Sequence, residues 1–185
     1  MNKKTNIKFN IGNILDIAAY GILAMLFSVL QTTLVPRFQI FDALPDLLIG
    51  VICYLGIYRG EKTAGLFGLF AGLCVDGLGN TGVSFLPLFY TIGGYVCGIV
   101  GKVARENAKF VAFLISVPAF SLARTSITFL DFLITNWGNL QFQRFFLYTA
   151  LPEFISTLLI CLVVYFIVKL YDSPLNYIRK RGGPY

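Results

Sequence analysis

The fold is decided by residues 45–101, which read PDLLIGVICYLGIYRGEKTAGLFGLFAGLCVDGLGNTGVSFLPLFYTIGGYVCGIVG. This stretch holds three apolar segments, separated by a charged turn at 59–62 and an uncharged loop at 80–84. Glycines recur along the second and third segments, and one ionisable residue, Asp76, shares a helical face with those of the second. The other ionisable residues collect at the segment ends. The pattern is typical of helices that pack together in lipid.

The composition of the whole chain agrees with a membrane protein. Of its 185 residues, 57% are hydrophobic and 13% are charged, whereas a typical soluble domain has about 25% charged residues. Several apolar runs approach the roughly 20 residues that a helix needs to cross a bilayer. We predict an all-α integral membrane protein with one bundle of six transmembrane helices over residues 11–171, between basic tails at 1–10 and 172–185.

The predicted transmembrane helices cover residues 11–35, 45–58, 62–78, 85–103, 109–136 and 149–171. The second is short for a full span, so we expect it to tilt or to lie partly inside the protein. Pro45 and Asp46 suit the first turn of that helix, where proline loses no hydrogen bond and a carboxylate meets the positive end of the helix dipole. Residues 137–148 predict an interfacial loop with aromatic side chains.

The distribution of cations predicts the orientation. With six spans, 12 of the 15 Lys and Arg residues fall on the side that carries both termini, and only Arg37 and Arg144 fall on the other. The positive-inside rule therefore places both termini in the cytoplasm. It also accounts for the net charge of +6 without a nucleic-acid partner.

The residue types exclude several kinds of chemistry. Histidine is absent, which removes Ser-His-Asp and Cys-His catalysis and histidine zinc sites. A glycine pattern at 77–82 resembles a nucleotide-binding loop, but it follows an apolar helix and not a strand. We predict no catalytic residue, no cofactor and no metal. Four cysteines lie inside apolar runs without metal-ligand spacing and predict free thiols: Cys53, Cys74, Cys97 and Cys161.

Two glycine stripes allow helices to approach closely. Small residues at helical spacing support either tight packing within the bundle or contact with the helix of another protein. The candidate residues for a partner interface are the stripes together with the carboxylate that opens the second helix: Asp46, Gly65, Gly68, Gly72, Gly94 and Gly98.

The fifth helix has a polar face that predicts a buried charged cluster. Ser121, Arg124, Thr128, Asp131 and Thr135 recur every three or four residues along it. Counting along the helices places Arg124 at about the depth of Asp76. We predict a polar cluster in the outer half of the membrane, with the arginine as the shared cation. It acts either as an ion-pair lock or as a binding site, and its members are Asp76, Arg124, Asp131 and Glu153.

Several short motifs, taken in order, resemble a known family. They are Gln31-Thr32-Thr33-Leu34-Val35-Pro36, Pro45-Asp46-Leu47-Leu48, Tyr54-Leu55-Gly56, Arg59-Gly60, Gly65, the run from Gly68 to Asp76, and Gly82. Their order and spacing resemble the rod shape-determining protein MreD family. The signal is confined to residues 31–101, the stretch 83–87 departs from the family pattern, and the last two helices carry no matching motif.

The resemblance implies a non-enzymatic, multi-pass subunit of the bacterial cytoplasmic membrane that belongs to the cell-elongation machinery. It implies binding to an MreC-like single-span protein and, indirectly, work with MreB, RodA and a class B penicillin-binding protein in peptidoglycan synthesis. The family is also similar in fold to the substrate-binding subunits of vitamin transporters. The alternative function is therefore a membrane subunit that binds a small molecule or a lipid.

Overall fold

The computed structural model describes residues 11–38, 44–79, 85–135 and 142–181, and this part of the chain is helical without a strand. Its helices are α1 Ile11–Thr33, α2 Leu47–Arg59, α3 Glu61–Gly79, α4 Leu86–Val103, α5 Lys109–Thr135, α6 Phe142–Phe145 and α7 Leu151–Arg181. A π-helical turn at Phe146–Ala150 joins α6 to α7. The all-α prediction is confirmed for the described residues, and the predicted tail at 1–10 and loop at 80–84 lie outside them.

Four helical stretches are long and apolar enough to cross a membrane: Ala18–Arg37, Leu86–Val103, Glu106–Ile134 and Phe146–Ser173. Helix α2, with 13 residues, is a shorter apolar helix. Helix α3 is not among the four, since its glycines, Lys62 and Asp76 lower its hydropathy. A helical membrane protein is therefore shown with four candidate spans, while the count of six and the cytoplasmic termini stay predictions.

Helix α2 is the centre of the bundle. All ten residues from Leu48 to Ile57 are buried, and α1, α3, α4, α5 and α7 all pack against it. A helix that is apolar on every side suits such a position. At about 1.5 Å per residue it is roughly 20 Å long, well short of a bilayer core. Neighbouring helices surround it and shield it from lipid.

The outer faces of the surrounding helices are apolar. Exposed large apolar side chains recur every three or four residues on each of them, as expected where helices meet lipid or a membrane partner. Examples are Ile22 and Met25 on α1, Leu66 and Leu69 on α3, Ile92 and Val96 on α4, Ile115 and Leu122 on α5, and Leu159 and Val163 on α7.

The two glycine stripes face each other between α3 and α4. A Cβ added to Gly68 would overlap the backbone of Tyr90, and one added to Gly94 would lie 2.5 Å from the carbonyl oxygen of Ala64. At Gly72 and Gly98 an added Cβ would likewise collide with the opposite backbone. The stripes therefore let the two backbones touch.

This packing changes the status of the partner-interface candidates. Gly65, Gly68, Gly72, Gly94 and Gly98 are all buried within the chain, and Gly65 is the loosest, since its Cβ would lie 3.8 Å from Thr91. A stripe that is filled by the chain's own helix offers no open surface. The surface that remains open to another protein therefore lies on the exposed faces of the outer helices and not on these glycines.

The close approach makes a stability prediction. We expect Gly94→Ala to lower the free energy of unfolding by about 1–3 kcal/mol, because the extra methyl group must separate two backbones. We expect Gly77→Ala on α3 to raise it by up to about 1 kcal/mol, because nothing lies within 4 Å of its Cβ and alanine stabilises a helix. Unfolding of both variants in mixed detergent micelles measures the difference, and equal effects would contradict the packing.

The last helix differs from the prediction. Helix α7 continues to Arg181, whereas the predicted helix ends at 171. The predicted interfacial loop at 137–148 is partly replaced by α6 and the π-helical turn. Asp172, expected in a cytoplasmic tail, is 2% exposed. Asp172 is buried because it lies on α7 against partners on α1 and α2.

Candidate functional site

Asp46 caps the start of α2 and connects it to two other helices of the bundle. Its backbone is extended, and its Oδ1 accepts a hydrogen bond from the backbone N–H of Leu48 at 3.0 Å, so it is the N-cap of the helix. Tyr90 on α4 donates its hydroxyl to Oδ2 at 2.5 Å. The backbone N–H of Asp46 donates to Oγ1 of Thr157 on α7 at 3.1 Å. One buried residue thus joins three helices.

Gln31 fixes the approach to this cap. Its side-chain amide donates to the carbonyl oxygen of Pro45 at 3.0 Å and accepts from the backbone N–H of Leu47 at 2.9 Å. The amide therefore satisfies backbone groups on both sides of Asp46, and it ties the end of α1 to the start of α2. Gln31 thus contacts the predicted helix start at 45–46, and the sequence alone did not indicate this contact.

Arg124 on α5 faces the same carboxylate from a greater distance. Its Nε lies 3.8 Å from Oδ2 of Asp46, which is an ion pair but too long for a hydrogen bond. This Nε is buried and has no hydrogen-bond partner in the described structure. Arg124 also interacts electrostatically with Glu153 and Asp76. A single cation is therefore shared among three carboxylates.

The other two carboxylates of this group, Glu153 and Asp76, are less well satisfied by the described residues than Asp46 is. Glu153 on α7 is 7% exposed, and among the described residues its carboxylate interacts with Arg124 and Asp46 only electrostatically. The Oδ1 of Asp76 is buried and has no partner in the described part of the chain. A buried polar group without a partner costs about 1–3 kcal/mol. We name this group the Asp46 cluster: Asp46, Asp76, Tyr90, Arg124, Glu153 and Thr157.

The Asp46 cluster only partly matches the predicted one. The structure places Arg124 in electrostatic range of both Asp76 and Glu153, but no hydrogen bond joins these side chains within the described residues. The side chain of Asp131 lies outside the described structure. The sequence reasoning missed Tyr90 and treated Asp46 as a partner contact. The signals were a carboxylate after proline at a helix start and, in the apolar opening of α4, a tyrosine next to Phe89.

A second polar group lies at the other end of α2. Arg59 donates from Nη2 and Nε to Oδ1 of Asp172 at 2.6 and 3.0 Å, and both side chains are buried. Tyr20 donates to the same oxygen at 2.7 Å, and Tyr54 donates to Oδ2 at 3.4 Å. We name this the Asp172 cluster. It ties α1, α2 and α7 together, and the sequence reasoning missed it by assigning Arg59 to a turn and Asp172 to a tail.

The two clusters can hold charged groups and lock helices together. Among the residues that the structure describes, no group of three His, Cys, Asp or Glu side chains could hold a metal ion. Cys53 and Cys97 approach with their sulfur atoms 3.5 Å apart, and both are free thiols. The two clusters are therefore suited to binding a charged group or to stabilising the packing of the helices.

These features define a multi-pass helical membrane protein whose interior carries two charged clusters at opposite ends of a buried helix. The chain belongs to the rod shape-determining protein MreD family, whose model matches residues 14–173. The resemblance found in the sequence is therefore confirmed. Comparison with curated proteins and with solved structures finds no match.

Proposed function

We propose that this protein is a non-enzymatic subunit of the bacterial cell-elongation complex in the cytoplasmic membrane. It supports rod shape and lateral peptidoglycan synthesis by binding an MreC-like single-span partner and, indirectly, MreB, RodA and a class B penicillin-binding protein. The observation that carries the proposal is the family match over residues 14–173. The 12 cations of the predicted cytoplasmic side, Arg59 and Lys102 among them, support an orientation with both termini inside.

The open apolar faces are where a partner helix would bind. Helices associate in a membrane through close van der Waals packing and interhelical hydrogen bonds, since lipid is as apolar as the side chains. The glycine stripes are already filled, so the partner packs against the exposed side chains of the outer helices. A single-span partner covers one such face and leaves the others to lipid.

A crosslinking scan tests this proposal. A photoreactive amino acid is placed at one exposed position on each outer helix, and at Val51, which is fully buried in α2, as the control. We expect irradiation of living cells to capture the MreC-like partner from one face or two adjacent faces, and not from position 51. The exposed positions are Met25, Leu69, Val96, Leu122 and Val163.

Two outcomes of the scan would contradict the partner proposal. Capture of no partner from any exposed position, in cells whose rod shape the tagged chain maintains, would contradict direct binding of the partner to these faces. Capture at equal yield from all five positions would indicate random collision in the membrane. Complementation of rod shape by each tagged chain is the control for folding.

A second candidate function is binding of a small molecule or a lipid by the Asp46 cluster. The observation in its favour is the set of polar atoms without partners, Nε of Arg124 and Oδ1 of Asp76, beside the buried Glu153. An ion-pair lock that served only stability would be expected to satisfy these atoms, as the Asp172 cluster does for Arg59 and Asp172.

A further inference from the structure

The Asp46 cluster has unused binding capacity of both signs. On the anionic side, Oδ1 of Asp76 and the carboxylate of Glu153 receive no hydrogen bond from the described residues. On the donor side, Nε of Arg124 is buried and donates to none. Thr125, the next residue on α5, also has a buried hydroxyl without a partner. Buried polar atoms are mostly hydrogen-bonded in native structures, so each unpaired one calls for an explanation, and a ligand is one such explanation.

We infer that this cluster binds a zwitterionic group, a primary ammonium with an anionic phosphate or carboxylate close by. The inference rests on the second candidate function and names its ligand chemistry. The ammonium, with three donors and no acceptor, lies against Glu153, whose buried carboxylate is in electrostatic range of Arg124. The anionic oxygens lie against the guanidinium of Arg124, which forms its strongest hydrogen bonds with such groups.

The charges of the cluster exclude simpler ligands. Three carboxylates lie in electrostatic range of one guanidinium, so a lone anion would meet a net negative site. A lone cation would satisfy the carboxylates but would leave the Nε of Arg124 without an acceptor. A metal ion is not the occupant we infer, since the described His, Cys, Asp and Glu side chains do not group at metal-ligand spacing. A ligand with both charges gives the carboxylate of Glu153 a donor and the Nε of Arg124 an acceptor.

The burial pattern gives the direction of entry. The side chain of Arg124 is 28% exposed, whereas Glu153 is 7% exposed. A ligand therefore meets the guanidinium first and places its ammonium deeper. Asp46 caps the start of α2, and Asp76 lies three residues before α3 ends at Gly79, so the cluster lies toward one end of the bundle. Both a phosphoethanolamine lipid headgroup and a soluble zwitterion of the same chemistry reach such a place.

A purely structural role for Glu153 makes the opposite stability prediction. If Glu153 only held Arg124 in place, Glu153→Gln would weaken that attraction and lower the melting temperature. If Glu153 is instead a ligand-binding residue, its charge has no hydrogen bond in the empty protein. Glu153→Gln then leaves the melting temperature of the empty protein unchanged or raises it. Sites that are built for ligands commonly show this trade of stability for function.

The test uses the full chain purified in nanodiscs made of equal parts phosphatidylethanolamine and phosphatidylglycerol. Both lipids carry a phosphate, but only the first carries an ammonium. Native mass spectrometry after gentle release counts the retained lipids. We expect phosphatidylethanolamine to be enriched on the wild type, and the enrichment to fall about tenfold in Glu153→Gln, the effect of losing one charged hydrogen bond. Glu106→Gln, at a carboxylate that is 85% exposed, is the matched control and should not change it.

A second arm distinguishes the source of the ligand. Soluble phosphoethanolamine is titrated onto the protein in phosphatidylglycerol nanodiscs while the melting temperature is followed. A saturable rise in the wild type that Glu153→Gln abolishes identifies a soluble ligand, and lipid enrichment without this rise identifies a headgroup. Asp76→Asn serves as a second variant and is expected to weaken whichever ligand binds.

Three results would overturn the inference: neither probe binds, Glu153→Gln retains both as well as the wild type, or Glu153→Gln lowers the melting temperature as an ion-pair lock predicts. The crosslinking scan reports on the partner independently. A variant that loses the zwitterion but keeps the crosslinks separates this site from the partner proposal, and the reverse result does the same.

Discussion

Replacing Asp46 by alanine is expected to lower the free energy of unfolding by about 3–5 kcal/mol, the usual cost of removing one partner from a buried charged pair. The change removes the N-cap of α2, worth about 1 kcal/mol by itself. It also leaves the buried hydroxyl of Tyr90 without its acceptor and Arg124 without its nearest carboxylate. These losses share one network, so they will not add fully.

The comparison with Asp46→Asn separates the charge from the cap. Asparagine caps helices as well as aspartate does, and its carbonyl oxygen can keep one of the two hydrogen bonds. We expect Asp46→Asn to lower the free energy of unfolding by less than Asp46→Ala does, but by more than zero. Reversible unfolding in mixed micelles measures both variants beside Glu106→Ala, whose exposed side chain should contribute little. A loss below about 1 kcal/mol for alanine would show that the cap and the network are unimportant.

The sequence predicted where the helices lie along the chain better than it predicted where each helix lies in the bundle. Pro45-Asp46 indicated the start of α2 and the apolar run indicated a helix. An apolar run reads alike whether lipid or protein surrounds it, however, and only the short length of α2 suggested an inner position. In the same way, the glycine spacing of Gly68 and Gly72 predicted a close helix contact. It did not say that α4 of the same chain makes that contact.

The charged clusters were partly visible for a similar reason. Helical spacing related Arg124 to the other polar residues of α5, because that relation is local. Tyr90 and Asp46 are 44 residues apart, and Tyr20 and Asp172 are 152 apart. No periodicity connects residues on different helices at such separations, so these pairs follow only from the packed bundle. Asp172 was harder still, because a carboxylate at the start of a basic C-terminal segment is typical of a solvated tail.

The motifs of the family resemblance acquire physical roles in the structure. Gln31 binds the backbone on both sides of Asp46, and Asp46 caps α2. Tyr54 and Arg59 both donate to Asp172 at the other end of the same helix. The motifs therefore describe how one short, lipid-shielded helix is held at both ends. The motifs that hold the central helix α2, more than the glycine stripes, therefore organise the packing of the bundle.

Breaking the Asp172 cluster is expected to be as costly as breaking the Asp46 cluster. Asp172→Leu leaves the buried guanidinium of Arg59 without its carboxylate, and it also removes the acceptor of Tyr20. We expect a loss of about 3–5 kcal/mol for this variant and a similar loss for Arg59→Leu. Unfolding in mixed micelles, with hydrogen exchange at the α2 backbone, measures both, and we expect exchange to rise first at the C-terminal end of α2.

The double variant Arg59→Leu/Asp172→Leu shows whether the pair or its separate charges matter. Replacing both partners by apolar groups removes the uncompensated buried charge that each single variant creates, so the double should lose less than the sum of the singles by at least about 1 kcal/mol. Additive losses would mean that the two side chains contribute independently despite the 2.6 Å contact. Coupling of the expected sign would mean that the Arg59–Asp172 pair stabilises the end of α2 as a unit, beside the hydrogen bonds that Tyr20 and Tyr54 donate to Asp172.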